Sequence, residues 1–251
     1  MHFIPNWLTA PTSAIQVHLI GAGGTGSTML TALARINYAL TDSGHCGLQV
    51  TLFDDDRVDG ANLGRQLFAE CELGLYKAGA VISRANRFFG TKWKARNMRY
   101  EEYRENPATI TIACVDSVAS RRNICGKLEQ PRVSHHRDRP LYLLDFGNGR
   151  YSGQVLLSTT CEIAQPRSEK FETVAQLGNV FQTFPEMARQ QDDGLPSCSL
   201  AQALQQQDLF INSVLSNMGA SLLWSMLRNG YIANRGMFVN LEDYRSLPIG
   251  V

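Results

Sequence analysis

The sequence predicts an α/β fold: a doubly wound, mostly parallel sheet with a helical and strand C-terminal extension. Three observations carry this. The apolar run Ile15-Gln16-Val17-His18-Leu19-Ile20 leads into Gly21-Ala22-Gly23-Gly24-Thr25-Gly26-Ser27 and then a helical pattern from Met29 to Ala34. A second apolar run, Leu48 to Phe53, ends in Asp54-Asp55-Asp56. A third run, rich in β-branched residues from Thr109 to Val115, ends at Asp116. Strands that alternate with helices form a parallel sheet covered on both faces, so the predicted arrangement is Rossmann-like. Ligands in such sheets bind at the carboxyl ends of the strands, where Gly21, Asp54 and Asp116 all fall.

Residues 1–14, with Pro5 and Pro11, read as an irregular lead-in. The first strand covers 15–20 and the first helix about 25–40, ended by Gly44 and Gly47. The second strand is 48–53. Lys77 to Phe89 reads as a helix, because Ala78, Val81, Ile82 and Ala85 share one stripe. Thr109 to Val115 is a buried strand, Ser117 to Leu128 a helix stopped before Pro131, and Leu141 to Leu144 a short strand. Gln154 to Ser158 suggests another strand. Residues 161–198 form a long connection holding Pro166, Pro185 and Pro196. Leu200 to Leu227 is apolar at helical spacing and must pack on the core or on a second subunit. Gly236 to Leu241 closes the pattern as a strand. The whole chain reads as one domain, with a nucleotide-binding half at about 15–147 and a crossover and C-terminal half at about 148–251.

Composition narrows the function. Formal net charge is +1 over 251 residues, so nothing pulls the chain globally toward nucleic acid or an anionic membrane. The cations between Arg84 and Arg104 read as a solvated helix-and-loop face, diluted by Glu101, Glu102 and Glu105. No apolar run reaches the roughly 20 residues of a membrane span, and the first residues lack a basic leader. The six cysteines include no C-x-x-C pair, so no zinc site is written here, and isolated thiols suit the cytoplasm. His135 and His136 lie in no motif and read as an exposed loop.

The glycine turn is a phosphate cradle, because backbone N–H groups and a helix N-terminus meet an anion there. Alone it does not choose between ATP and NAD. The block Asp54-Asp55-Asp56-Arg57-Val58-Asp59-Gly60-Ala61-Asn62-Leu63-Gly64-Arg65-Gln66 is more specific. It resembles the adenylating enzymes of the ThiF/MoeB and ubiquitin-activating superfamily, whose pattern is an acidic strand end followed by Asn-Leu-x-Arg-Gln. Gly74-Leu75-Tyr76-Lys77-Ala78 is similar to that superfamily's Gly-x-x-Lys-Ala, and Asp116 to Arg121 to its Asp-Asn-x-x-x-Arg. More narrowly, the chain resembles the ThiF-related component of the plasmid-borne PRTRC cassette.

The resemblance implies ATP and magnesium as cofactors. It implies a nucleotide site of Gly21, Gly23, Gly24, Gly26, Ser27, Asp54, Asp56, Asn62, Arg65, Gln66 and Lys77. Asp54 would accept ribose hydroxyls, Asn62 would donate to a phosphate oxygen, and Arg65 and Lys77 would hold the triphosphate. Asp116 would hold magnesium; a helix cap is its plainer reading. The substrate implied is the C-terminal carboxylate of a small ubiquitin-like protein ending in glycine, and the oligomer a homodimer. Cys198, at Pro196-Ser197-Cys198-Ser199 before a helical stretch, is either a thioester-forming nucleophile or an ordinary buried thiol. The remaining cysteines read as structural, Cys114 lying inside a strand. Three departures stand out. The chain lacks the paired C-x-x-C motifs of many relatives, residues 1–34 contain no arginine or lysine where relatives often place an arginine before the first strand, and Ser117 replaces the usual asparagine. An NAD-dependent oxidoreductase and a non-catalytic nucleotide-binding scaffold, using Leu200 to Leu227 as its contact surface, are the competing readings.

Overall fold

The structure, a computed structural model, describes residues 1–130, 139–189 and 207–251. Ten strands are described in chain order: β1 (His2–Phe3), β2 (Ile15–Ile20), β3 (Leu48–Phe53), β4 (Lys94–Arg96), β5 (Ile110–Ala113), β6 (Tyr142–Asn148), β7 (Ser152–Thr159), β8 (Tyr231–Ile232), β9 (Asn234–Asn240) and β10 (Arg245–Gly250). The described α-helices are α1 (Asn6–Thr9), α2 (Gly24–Asp42), α3 (Lys77–Phe89), α4 (Val118–Leu128), α5 (Val180–Thr183) and α6 (Ile211–Asn229). The main sheet has eight strands in the order β10-β9-β7-β6-β5-β2-β3-β4. Strands β6, β5, β2, β3 and β4 are parallel, and β7, β9 and β10 add to one edge antiparallel. The chain runs from β2 outward to β4 on one side, then returns to β5 and continues outward on the other. The topological switch point therefore lies between β2 and β5, and a crevice opens beyond their carboxyl ends.

The strands expected at 15–20 and 48–53 and the helix at 77–89 have those bounds in the structure. Ala78, Val81, Ile82 and Ala85 are all buried, as the α3 stripe requires. The lead-in expectation is corrected. His2 is buried and Phe3 partly so; β1 pairs with β8, and His2 Nε2 lies 2.9 Å from the Tyr142 hydroxyl. The three-residue β4 and the largely exposed β10, which contains Pro248, carry no period that sequence reading could use. The helix expected from Leu200 begins at Ile211 among the described residues; 207–210 form a turn, and 200–206 lie outside them. Its apolar face, including Leu215, Leu223 and Met226, is buried within this chain. Gly219 marks how closely α6 approaches the sheet, since a Cβ there would sit 2.3 Å from the Phe146 ring. The scaffold reading thus loses α6 as its free contact surface. Among the described residues no helix is long and apolar enough to cross a membrane.

Candidate active site

A cavity of about 820 Å³ occupies the crevice at the switch point, within the roughly 300–1,000 Å³ usual for ligand pockets. Its floor is the glycine turn between β2 and α2. Gly21 has φ +91°, and an added Cβ would fall 2.5 Å from the Cys114 carbonyl oxygen. A Cβ at Gly26 would fall 1.9 Å from the Gly21 oxygen, so the first turn of α2 packs directly on the loop. A Cβ at Gly23 would meet nothing within 4 Å; its open side belongs to the cavity. Gly26 and Ser27 do not line the cavity. Ser27 Oγ instead accepts the Leu67 N–H at 3.3 Å, bracing α2 against the loop after β3.

Asp54 stands at the end of β3. Its Oδ2 accepts the Ala22 N–H at 2.6 Å and its Oδ1 the Asp56 N–H at 2.9 Å, so it ties the glycine turn to the acidic turn. Burial pushes its carboxyl up to about 6, outweighing the Ala22 hydrogen bond and the Lys77 charge. Lys77 is buried, and its Nζ is 2.9 Å from Asp56 Oδ2. Asn62 and Asp59 cap each other: Asp59 Oδ1 accepts the Asn62 N–H at 3.1 Å, and Asn62 Oδ1 accepts the Asp59 N–H at 3.0 Å. The Asn62 oxygen is thereby committed, which leaves its NH2 to donate to a ligand. Arg65 donates from Nη1 to Gln207 Oε1 at 2.8 Å. Arg65 Nε and Gln66 Oε1 are buried and have no hydrogen-bond partner among the described residues.

Asp116 lies on the cavity wall just beyond β5. The cap of α4 is Ser117, whose side chain accepts the Ser120 N–H at 3.0 Å, so Asp116 is not the helix cap. Behind it, Arg121 Nε is 2.8 Å from Asp145 Oδ1, and Arg121 Nη2 reaches the carbonyls of Val115 and Phe146 at 3.0 and 2.8 Å. This buried cluster fixes the strand ends that carry Asp116. Cys114 is corrected: it sits past the end of β5, on the cavity wall. Burial and the Asp145 charge push its thiol far up, so it stays protonated and unreactive. Cys198, His135 and His136 lie outside the described residues.

The structure therefore gathers Gly21, Gly23, Gly24, Asp54, Asp56, Asn62, Arg65, Gln66, Lys77 and Asp116 around one space. An apolar wall of Phe53, Met98, Tyr100, Val115 and Ile124 suits a flat heterocycle beside Asp54. Sequence reading missed Arg99, Asn148, Gln207 and Asn212, which also line the cavity. Their only local signal is polarity, and they come from distant segments. The cations of the Arg84–Arg104 stretch are partly offset: Arg84 pairs with Glu72, Arg96 with Glu105, and Arg99 with Asp55.

The fold and this cavity define an α/β protein with acidic and cationic groups gathered around a glycine turn at its switch point. The chain belongs to the ThiF family, which it matches over residues 9–206. Among solved structures it is similar to PaaA, with TM-score 0.62 and 13% identity over 97% of this chain and 65% of that one. It is also similar to E. coli MccB solved with ATP, with TM-score 0.60 and 13% identity over 98% of this chain and 66% of that one. The microcin C7 biosynthetic enzyme MccB in complex with N-formylated MccA aligns with TM-score 0.57 and 12% identity over 94% and 64%. The chain thus spans just under two thirds of the length of these structures. No curated protein sequence matches it significantly.

Proposed function

We propose that this chain adenylates a carboxylate at the expense of ATP. One observation carries the reading: Asp54, Asn62, Arg65, Lys77 and Asp116 line the same cavity as the glycine turn. The free side of Gly23 and the unpartnered Arg65 Nε fit a phosphate chain laid over the loop. In this reading Asp54 accepts ribose hydroxyls with the lone pairs its two backbone bonds leave. Asn62 donates its NH2 to a phosphate oxygen, and Arg65 and Lys77 hold the β- and γ-phosphates. A substrate carboxylate oxygen attacks the α-phosphorus, forming an acyl-adenylate. The bond from the α-phosphorus to the bridging oxygen breaks, and its electron pair leaves with pyrophosphate, whose charge Arg65 and Lys77 offset. Lys77 must exchange Asp56 for phosphate as the nucleotide enters. Magnesium, when bound, would supply further charge neutralisation. Asp116, on the cavity wall, would hold it, and as no cluster of three ligating side chains exists among the described residues, phosphate and water oxygens would complete its shell.

The proposed acyl substrate is the C-terminal carboxylate of a small ubiquitin-like protein ending in glycine. That MccB was solved both with ATP and with MccA supports a site of this fold open to a nucleotide and a second substrate. Thioester transfer to Cys198, a homodimer, and placement beside the PRTRC-cassette ThiF proteins belong to the same proposal and rest on the sequence resemblance. Hydride transfer would leave Arg65 and Lys77 without a task. The test is ATP–pyrophosphate exchange with small glycine-terminated proteins. Wild type should exchange, and Lys77→Ala should lose about two to three orders of magnitude in rate. Equal rates in both would remove Lys77 from the reaction. The same mixture, examined by mass spectrometry, should show a thiol-labile adduct absent from Cys198→Ala.

A further inference from the structure

Arg65 is oriented by a neutral amide. Gln207 Oε1 accepts from Arg65 Nη1 and from Asn212 Nδ2, both at 2.8 Å. Asn212 Oδ1 in turn accepts from Thr25 Oγ1 at 2.8 Å and from Asn148 Nδ2 at 2.5 Å. One chain of hydrogen bonds thus runs from the loop after β3, through the start of α6, to the first turn of α2 and the end of β6. It contains no carboxylate. Among the described residues Arg65 has no ion pair; Asp59 acts on it through space and is occupied in the mutual cap with Asn62. Lys77, by contrast, is held by the Asp56 carboxylate. A half-buried guanidinium ordinarily takes a carboxylate partner. With an amide instead, Arg65 is fixed in direction while its charge is not cancelled, and its buried Nε has no partner. Burial correspondingly presses Arg65 toward its neutral form. The glycine turn is shaped to the same amide: a Cβ at Gly24 would fall 2.5 Å from Asn212 Nδ2.

We propose that Gln207 and Asn212 are positioning residues that hold Arg65 as an un-neutralised receptor for the phosphates of a nucleotide and set its place relative to the glycine turn. This rests on the nucleotide-binding part of the reading above and not on the acyl transfer. A carboxylate at position 207 would keep both hydrogen bonds but pair with Arg65 and remove the charge a phosphate needs.

The experiment measures binding of ATP and of inorganic tripolyphosphate by calorimetry to wild type, Gln207→Glu and Gln207→Met, with the unliganded melting temperature of each. Gln207→Glu should melt at or above wild type yet bind both anions about tenfold or more weakly. Gln207→Met, which removes the acceptor without adding charge, should lose less, about threefold. Equal affinity in wild type and Gln207→Glu overturns the proposal. Should Gln207→Glu fail to fold, Gln207→Met decides, and tripolyphosphate affinity unchanged in it overturns the proposal. If both variants bind tripolyphosphate in the expected order while wild type exchanges no pyrophosphate, the positioning role stands and only adenylation falls. Wild type that binds neither anion overturns both.

Discussion

Asp54 couples the site to pH. Its ordinary value is 3.8, and burial raises it to about 6. Below 3.8 it is protonated in the folded and the unfolded chain alike. Between 3.8 and 6 the folded protein keeps a proton that the unfolded chain has released, so this residue's contribution to stability falls as pH rises and is fully lost above about 6. Ligand binding carries the opposite sign, because ribose hydroxyls donate best to the ionised carboxylate. ATP affinity should therefore rise with pH through about 6 in wild type and lack this component in Asp54→Asn. Titration of Kd against pH for the two proteins checks it; the terminal phosphate of ATP, with a pKa of about 6, contributes to both, so the difference is the readout. A step of equal size in both would assign it elsewhere. Asp54, Asn62, Arg65 and Lys77 were legible because they fall within one short stretch whose order survives as spacing. Gln207 and Asn212 were not, because an amide acquires its task only from the loop that folds against it, here from more than a hundred residues away.

At the scale of elements, the junction of β5, α4 and β6 shows how a motif divides its labour. Ser117 caps α4, which frees Asp116 to face the cavity. Ser117, which departs from the family's usual asparagine, is thus a working helix start beside Asp116. Arg121, one turn into the helix, buries its guanidinium against Asp145 and two strand-end carbonyls. Asp145 Oδ2 is itself buried without a partner, and desolvation drives its carboxyl upward despite Arg121. Arg121→Met should cost about 3–5 kcal/mol, since it strands the Asp145 charge, and adding Asp145→Leu should recover most of that loss. Urea denaturation of the single and double variants measures both. A single-variant cost near 1 kcal/mol would mean that Asp145 is neutral and the contact an ordinary hydrogen bond, of about that worth. The sequence pattern located these elements because apolar period reports burial. It did not report Asp145 as Arg121's partner, because that pairing depends on β6 lying beside β5 in register, with Asp145 opposite Ala113.

Across the whole molecule, the central parallel strands were readable as near-continuous apolar runs, while β4 and the docked N-terminal strand were too short to read and β10 is an exposed edge interrupted by Pro248. The core also places a histidine where charge is disfavoured. His18, in the middle of β2, packs edge-on against Phe53, Tyr100 and Tyr103, and Phe53 and Tyr100 also line the cavity. Its Nδ1 is 3.3 Å from both the Tyr100 hydroxyl and the Ala108 N–H, and the Lys127 ammonium lies over the Tyr100 ring. Burial first, and Lys127 second, lower His18 from 6.5 to about 4. Above 6.5 it is neutral in both states and adds nothing to the pH dependence. As pH falls from 6.5 toward 4 the unfolded chain gains a proton that the folded protein refuses, so stability is lost with acid. Asp54 works against this over 3.8 to 6, gaining stability with acid, and the two offset each other in wild type. His18→Phe keeps a ring in the aromatic cluster and removes the titration. Its loss of the Ala108 hydrogen bond is a constant cost; its pH profile should be the more acid-tolerant, with the gap between the two proteins narrowing steadily from pH 6.5 to 4. Denaturation midpoints across that range decide the matter: parallel profiles would mean that His18 takes up its proton in the folded protein, and that the aromatic cluster shared with the cavity wall is open to charge.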